Sequence, residues 1–265
     1  MRVFNQLRGM TLCALSLCVL PIISSLAFGT LISYSDVSGT NVNYTDIQEN
    51  PTRLSVPPSL DPPPTFGQPA GSDSLGFPNL SFKAASSGGS FDLADSKLSM
   101  TITAKNNTPG ISAVSFTEFG DFTLVRSGLT SDPSAEAKAI GWVTVEEING
   151  APISPFVVIP NLSGAQFDDL FHLTDSQTSQ LSMPWSGSLN FDVTDAIRDA
   201  GYNTGYATKV SLSLDNSLLA ISDANSASDI QKKGVTITTN TVPEPSVIIM
   251  LALGVLGLGV WRRKN

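Results

Sequence analysis

Apolar and polar residues alternate with a period of two along most of the middle of the chain. The clearest stretch is 209–215, where valine and leucine alternate with lysine, serine and aspartate. The same period recurs at 100–104, 122–125, 142–145, 189–193 and 235–238. Strict alternation gives a strand one buried and one solvated face, which is typical of antiparallel sheets. The pattern therefore predicts an all-β fold, an antiparallel β-sandwich of jelly-roll-like form.

Turn residues separate the predicted strands. Asn149-Gly150 lies between two of them, and both residues tolerate a positive φ, so this pair predicts a hairpin. One short helix is predicted at 195–200, with Thr194 as its N-cap and Gly201 as its stop.

The region 51–78 contains eight prolines. Proline cannot donate a hydrogen bond to a sheet and favours polyproline II, so this region predicts a long surface loop. Residues 28–50 contain at most two strands, which are too few to be stable alone. We therefore expect residues 28–241 to form a single β-sandwich domain that the loop crosses.

The N-terminal segment has the features of a secretory signal peptide. Arg2 and Arg8 precede an apolar run at 10–23, and small residues lie before a cleavage site predicted after Ala27. A membrane anchor is the alternative, but the run has about 14 residues where a span needs about 20. Both cysteines lie within the predicted signal peptide, 1–27. The mature protein would then contain no thiol and no disulfide.

The opposite end combines a short motif, an apolar stretch and a basic cluster. Pro243-Glu244-Pro245 precedes the uncharged stretch 247–261, and Arg262 and Arg263 follow it. As a helix this stretch would be about 22 Å long, which is short for a hydrocarbon core of about 30 Å. The arginines would stay on the cytoplasmic side, so the residues between the two ends would lie outside. A permanent transmembrane anchor is the alternative.

This order of features resembles the PEP-CTERM sorting signal of exported bacterial proteins, a segment also labelled as the C-terminal region of ice-binding proteins. The resemblance covers 242–264, within a predicted sorting segment 242–265, and leaves the central domain without a family. It implies processing by an exosortase, a membrane-embedded cysteine transpeptidase that cuts near Pro243-Glu244-Pro245. It also implies a Gram-negative producer of extracellular polysaccharide. In this role Glu244 is recognised as part of a substrate and is not a catalyst.

Charge and composition exclude several function classes. The net charge of −8 argues against a nucleic-acid partner, whose phosphates need a basic face. His172 is the only histidine, no Gly-x-Ser-x-Gly surrounds a serine, and phosphate-loop, dinucleotide and metalloprotease patterns are absent. We therefore expect no enzyme activity, no metal site and no cofactor.

Aromatic residues are the candidates for binding a ligand. Trp185 and Trp142, with Tyr202 and Tyr206, offer rings on which a sugar could stack, although packing in the core is the more ordinary use of such residues.

Acidic residues offer a second kind of chemistry. A glycosidase needs two carboxyl groups about 5–9.5 Å apart across a cleft. The available pairs are Asp168-Asp169, Glu146-Glu147, Asp192 with Asp195, and Glu118 with Asp121, although solvation of the surface is the more ordinary use of such residues. Asp215-Asn216 or Asp192 with Asp195 could supply oxygens to a structural calcium ion.

The sequence thus predicts an exported surface or matrix protein that crosses the secretion translocon, is anchored transiently in the inner membrane and is processed by an exosortase. Association with exopolysaccharide follows from the resemblance. The alternative is a jelly-roll carbohydrate-binding module that uses Trp185 or Trp142. A polysaccharide-acting enzyme with an acidic pair is the third hypothesis.

Overall fold

The computed structural model describes residues 25–57, 61–105, 110–128, 130–158, 166–173 and 179–242. The predicted signal peptide as far as residue 24 lies outside these ranges, as do residues 243–265 of the predicted sorting segment.

Within the described ranges the chain forms fifteen strands and one helix. They are β1 (Ser25–Phe28), β2 (Ile32–Ser33), β3 (Val37–Ser38), β4 (Val42–Val56), β5 (Ala70–Gly71), β6 (Ser74–Gly76), β7 (Lys83–Ser87), β8 (Phe91–Ala104), β9 (Ile111–Arg126), β10 (Ser134–Ile148), β11 (Ala151–Val158), β12 (Gln166–His172), β13 (Gln180–Asp192), α1 (Val193–Asp199), β14 (Ala207–Ile221) and β15 (Ser226–Thr241).

The strands form a curled antiparallel sheet with two layers. The first layer has the order β4-β8-β14-β10, with β1, β2 and β3 along β4, and β11 and β12 along β10. The second layer has the order β13-β9-β15, with β6 and β7 along β15. Among the described residues, one bridge, Ala207 with Ile111, connects the layers through β14 and β9. The predicted all-β antiparallel sandwich is confirmed.

The core lies between the two layers because the inward-facing positions of each strand are mostly apolar. On β14 the side chains of Val210, Leu212, Leu214 and Leu218 are buried, as the period of two predicts. Aromatic rings also cross the interior: Phe122 of β9 stacks on Phe171 of β12, with ring centroids 4.1 Å apart.

The predicted hairpin and helix are both present, with one difference. Asn149 (φ 52°) and Gly150 (φ 77°) connect β10 to β11. The helix starts two residues earlier than predicted, and its N-cap is Asp192, whose carboxylate accepts a hydrogen bond from the amide of Asp195. Thr194 is not the cap, because its hydroxyl donates to the carbonyl of Ser112.

The loop predicted over 51–78 is shorter than expected. Residues 51–56 continue β4, and the two short strands β5 and β6 lie within 70–76. Pro51 fits in β4 because it lies opposite Gly29, between β1 and β2, and its carbonyl accepts a hydrogen bond from the Gly29 amide at 2.9 Å. Because the neighbouring strand is interrupted here, Pro51 does not need to donate a backbone hydrogen bond.

Strand β1 includes the predicted cleavage site. The backbone of Ser25–Phe28 pairs with residues 52–55 of β4, and Ala27 lies opposite Arg53. Cleavage after Ala27 would remove three of the four residues of this strand, and β4 would keep its pairing with β8.

A polar stripe crosses the interior. Its members come from five strands and are all buried: Glu49, Ser96, Asn216, Glu118 and Lys232. The hydroxyl of Ser96 donates to Glu49 at 2.7 Å, and Ser96 lies opposite Asn216 in the first layer.

Candidate functional site

A cleft opens at the end of the sandwich where α1 and the β10–β11 hairpin meet. Its volume is about 510 Å³. We call it the tyrosine cleft, and it is lined by Asn149, Thr194, Arg198, Tyr202, Asn203, Thr204, Gly205 and Tyr206.

The hairpin turn fixes one wall of the tyrosine cleft. The amide of Asn149 donates to the carbonyl of Tyr206 at 3.0 Å, and the side-chain oxygen of Asn149 accepts from the amide of Tyr206 at 3.1 Å. The amide of Gly150 donates to the hydroxyl of Thr208 at 2.9 Å. These three bonds hold the segment before β14 against the turn, and the Tyr206 side chain remains 41% exposed.

The helix fixes the opposite wall. The amide of Tyr202 donates to the carbonyl of Ile197 at 3.0 Å, just after α1 ends. The Tyr202 ring is 37% exposed and lies parallel to Phe156 of β11, with centroids 6.3 Å apart. Arg198 donates to Asp195 at 3.0 Å and is exposed to solvent.

The tyrosine cleft therefore presents two aromatic rings, a guanidinium group and several amide and hydroxyl groups. Aromatic faces and a few placed polar groups are what a ligand-binding cleft needs. Tyr202 and Tyr206 were candidates from the sequence, whereas Asn149 was predicted only as a turn residue and Arg198 only as part of a helix. Two signals in the sequence could have identified them, namely the predicted turn and the end of the predicted helix, because the β-sandwich brings both to one edge.

The two tryptophans predicted as ligand-binding residues lie in different environments. Trp185 is only 5% exposed, because it faces inward from β13 and packs over Gly120 of β9. This burial contradicts the expectation that Trp185 offers an exposed ring. Trp142 lies half-buried on the outer side of the first layer, where the Lys97 ammonium group is 5.4 Å from its ring centroid.

Two of the predicted acidic pairs, Glu118 with Asp121 and Asp192 with Asp195, already have other partners. Glu118 faces the interior, whereas Asp121 lies at the surface and forms an ion pair with Lys233. The lysine holds the pKa of Asp121 below its usual range. Asp192 and Asp195 are both used at the start of α1, the former as the N-cap and the latter as the partner of Arg198.

The predicted calcium donors also separate. Asp215 is exposed, whereas Asn216 is 1% exposed and bonds to Glu118 in the core, because neighbouring residues of a strand face opposite sides. His172 lies at the surface with Nδ1 3.6 Å from Asp132. Among the residues that the structure describes, no three His, Cys, Asp or Glu side chains form a group that could hold a metal ion.

The predicted sorting residues follow the end of β15. The amide of Val242 donates to the carbonyl of Gly110 at 2.9 Å, and Gly110 lies against Tyr206 of the tyrosine cleft. Pro243, Glu244, Pro245, Arg262, Arg263 and the helix predicted at 247–261 lie outside the described residues. No helix in the described ranges is long and apolar enough to cross a membrane.

Comparison with family models identifies this segment. A model described as the PEP-CTERM protein-sorting motif matches residues 241–264. The chain carries a PEP-CTERM sorting motif. The PEP-CTERM motif implies export to the cell surface and recognition by an exosortase. It begins at the last residue of β15, and the match does not extend to the sandwich.

The sandwich itself has weak likenesses among solved structures. One is described as belonging to carbohydrate-binding modules from the β-sandwich superfamily, with a TM-score of 0.20, 7% identity, and coverage of 84% of this chain and 58% of that chain. Another is from infectious bursal disease virus, Gt strain, with a TM-score of 0.13, 14% identity, and coverage of 74% and 53%. The chain thus spans little more than half the length of either. No curated protein matches the chain.

Proposed function

We propose that the protein is an exported, non-enzymatic surface or matrix protein of a polysaccharide-producing bacterium, and that an exosortase processes it at the PEP-CTERM motif. The observation that carries this proposal is the match of residues 241–264 to the sorting motif. The secretion translocon would export the chain, and residues 247–261 would hold it briefly in the inner membrane.

The chemistry of the segment supports transient anchoring. An apolar helix of about 22 Å spans a hydrocarbon core of about 30 Å poorly, so its residence in the bilayer is weak. Pro243 and Pro245 disfavour helix and keep the backbone extended, as a peptidase needs. Since β15 ends at Thr241, the processing site directly follows the folded body.

The test replaces the acidic residue of the motif in the producing bacterium. In wild-type cells we expect the surface fraction to contain a chain that lacks Asn265, as intact-mass measurement would show. Glu244→Gln should accumulate with Asn265 in the membrane fraction, whereas the matched control Glu147→Gln, on β10, should behave as wild type. A wild-type surface protein that retains Asn265 would contradict the proposal.

A second candidate function is binding of a saccharide in the tyrosine cleft. The observation that favours it is the pair of partly exposed rings, Tyr202 and Tyr206, beside the guanidinium group of Arg198. Stacking on the rings and hydrogen bonding to Arg198 suit a polymer with hydroxyl and acidic groups, such as the producer's own exopolysaccharide.

Binding to the purified exopolysaccharide tests this second function. We expect Tyr206→Ala and Tyr202→Ala each to weaken binding at least about tenfold, which corresponds to about 1.4 kcal/mol. Trp142→Ala serves as the comparison because Trp142 lies on the outer face of the first layer. If Trp142→Ala abolishes binding and the tyrosine variants do not, the ligand binds that face and the tyrosine cleft is excluded.

A further inference from the structure

Three side chains with complementary chemistry meet inside the sandwich. Lys232 extends inward from β15, Glu118 from β9 and Asn216 from β14. The side-chain nitrogens of Lys232 and Asn216 each lie 2.6 Å from the same oxygen, Oε2 of Glu118. An amine and a carboxamide are thus held side by side by one carboxyl group.

The surroundings exclude water from this group. The side chains of Lys232 and Glu118 have no exposed surface, and Asn216 is 1% exposed. The ring of Phe82 covers Lys232, with its centroid 4.4 Å from Nζ. Two buried oxygens, Oε1 of Glu118 and Oδ1 of Asn216, have no hydrogen-bond partner in the part of the chain that the structure describes.

Burial favours the uncharged forms of the pair. It raises the pKa of Glu118 and lowers the pKa of Lys232, against the attraction between their charges. Burial thus works toward a carboxylic acid beside a free amine and against the charged pair. An amine without its extra proton has a lone pair, and a desolvated lysine of this kind is a nucleophile.

We propose that Lys232 and Asn216 become joined by an intramolecular amide bond, and that Glu118 carries the proton between them. Nζ of Lys232 attacks Cγ of Asn216, and a C–N bond forms. The bond from Cγ to Nδ2 breaks, and Nδ2 leaves as ammonia with the proton that Glu118 transfers from Nζ. No oxidant or further reactant is consumed, and Glu118 returns to its starting protonation state.

The product satisfies the atoms that the separate side chains leave unpaired. The new amide N–H donates to Glu118, and the protonated Glu118 donates to the former Asn216 oxygen. Lys232 and Glu118 then no longer form a charged pair. The bond would also link β14 of the first layer to β15 of the second, in a protein whose only cysteines lie at 13 and 18. This cross-link is independent of the sorting motif and of the tyrosine cleft.

Mass spectrometry of the whole purified protein tests the proposal. We expect the intact mass to be about 17 Da below that of the recovered sequence, because ammonia is lost. A protease that cleaves after leucine separates Asn216 from Lys232 at Leu218 and Leu219. The two peptides should then be recovered as one linked species. Cyclisation of Asn216 alone would give the same mass without the link, and that result would overturn the proposal.

Variants assign the roles of the three residues. Asn216→Leu and Lys232→Met should restore the full mass, whereas the control Lys233→Met, at the exposed neighbouring position, should keep the deficit. Glu118→Gln retains both reacting groups, and we expect its linked fraction to form at least about 100-fold more slowly. A folded wild-type protein of full mass overturns the bond, and unchanged linkage in Glu118→Gln overturns the role of Glu118.

Discussion

Two buried ion pairs lie in the same core, and they differ in how many of their polar atoms have hydrogen-bond partners. Arg53 binds Asp92 through two hydrogen bonds of 3.0 Å, and its remaining donors reach the carbonyls of Pro62 at 2.8 Å and Lys83 at 2.6 Å. The amide of Ala85 donates to Asp92 at 2.9 Å. Every charged group of this pair is surrounded by partners of the right kind.

The pair of Lys232 and Glu118 has fewer hydrogen-bond partners. One carboxyl oxygen of Glu118 lies 2.6 Å from both Lys232 and Asn216, and the other has no partner among the described residues. A buried polar atom without a partner costs free energy, which a structural ion pair avoids. The difference indicates that burial alone does not identify a reactive site. The Lys232 pair lies beside the carboxamide of Asn216, which is an electrophile, whereas the Arg53 pair is hydrogen-bonded to backbone groups.

The largest expected effect on stability comes from breaking the ion pair of Arg53 and Asp92. Arg53→Met leaves Asp92 buried without its counter-ion, and we expect the free energy of unfolding to fall by about 3–5 kcal/mol. Urea unfolding measures it. The control is Lys83→Met, which breaks the exposed pair with Asp229 and should change stability by less than about 1 kcal/mol. Equal losses of stability in Arg53→Met and Lys83→Met would contradict the expected difference between the buried and the exposed ion pair.

A smaller effect should follow from preventing the cross-link. Asn216→Leu introduces an apolar side chain of similar size, and loss of a bond that closes about 15 residues should lower the free energy of unfolding by about 3 kcal/mol. The control Asn190→Leu lies on the exposed side of β13. Stability of Asn216→Leu within about 0.5 kcal/mol of wild type would indicate that no cross-link had formed.

The smallest effect concerns a carboxylate on the outer side of β8. Burial, with the neighbouring charge of Asp215, raises the pKa of Asp95 from 3.8 to about 6. The folded state therefore holds this proton more strongly than the unfolded state. As pH rises from 3.8 to about 6, the free energy of unfolding should fall. We expect a loss of about 1 kcal/mol after solvent screening.

Asp95→Asn should remove this part of the pH dependence, as urea unfolding at a series of pH values would measure. The control Asp36→Asn, at an exposed position, should follow the wild-type curve. If wild type and Asp95→Asn lose stability in parallel between these pH values, the proton is not held by Asp95.

The strands could be predicted because alternation is a local property of the sequence. A proline usually interrupts a strand, yet Pro184 lies in β13, an edge strand that pairs only with β9 among the described strands. An edge position needs no donor on its free side. Whether a proline lies at an edge depends on the order of strands, which the local pattern does not contain.

The reactive group could have been recognised in part. Glu118 lies on the same inward-facing side of β9 as Phe116 and Phe122. Asn216 lies on the same inward-facing side of β14 as Leu214 and Leu218. A polar residue in an apolar phase indicates a buried polar group. The sequence does not indicate that these positions meet, because β14 belongs to the first layer and β9 and β15 to the second, and only the curl of the sheet brings them together.

A crystal structure of the folded protein tests the central claim most directly. We expect continuous electron density between Lys232 and Asn216, with Nζ and Cγ separated by about 1.33 Å, the length of an amide bond. Separate side chains with these atoms about 3.5 Å apart, at van der Waals contact, would contradict the claim.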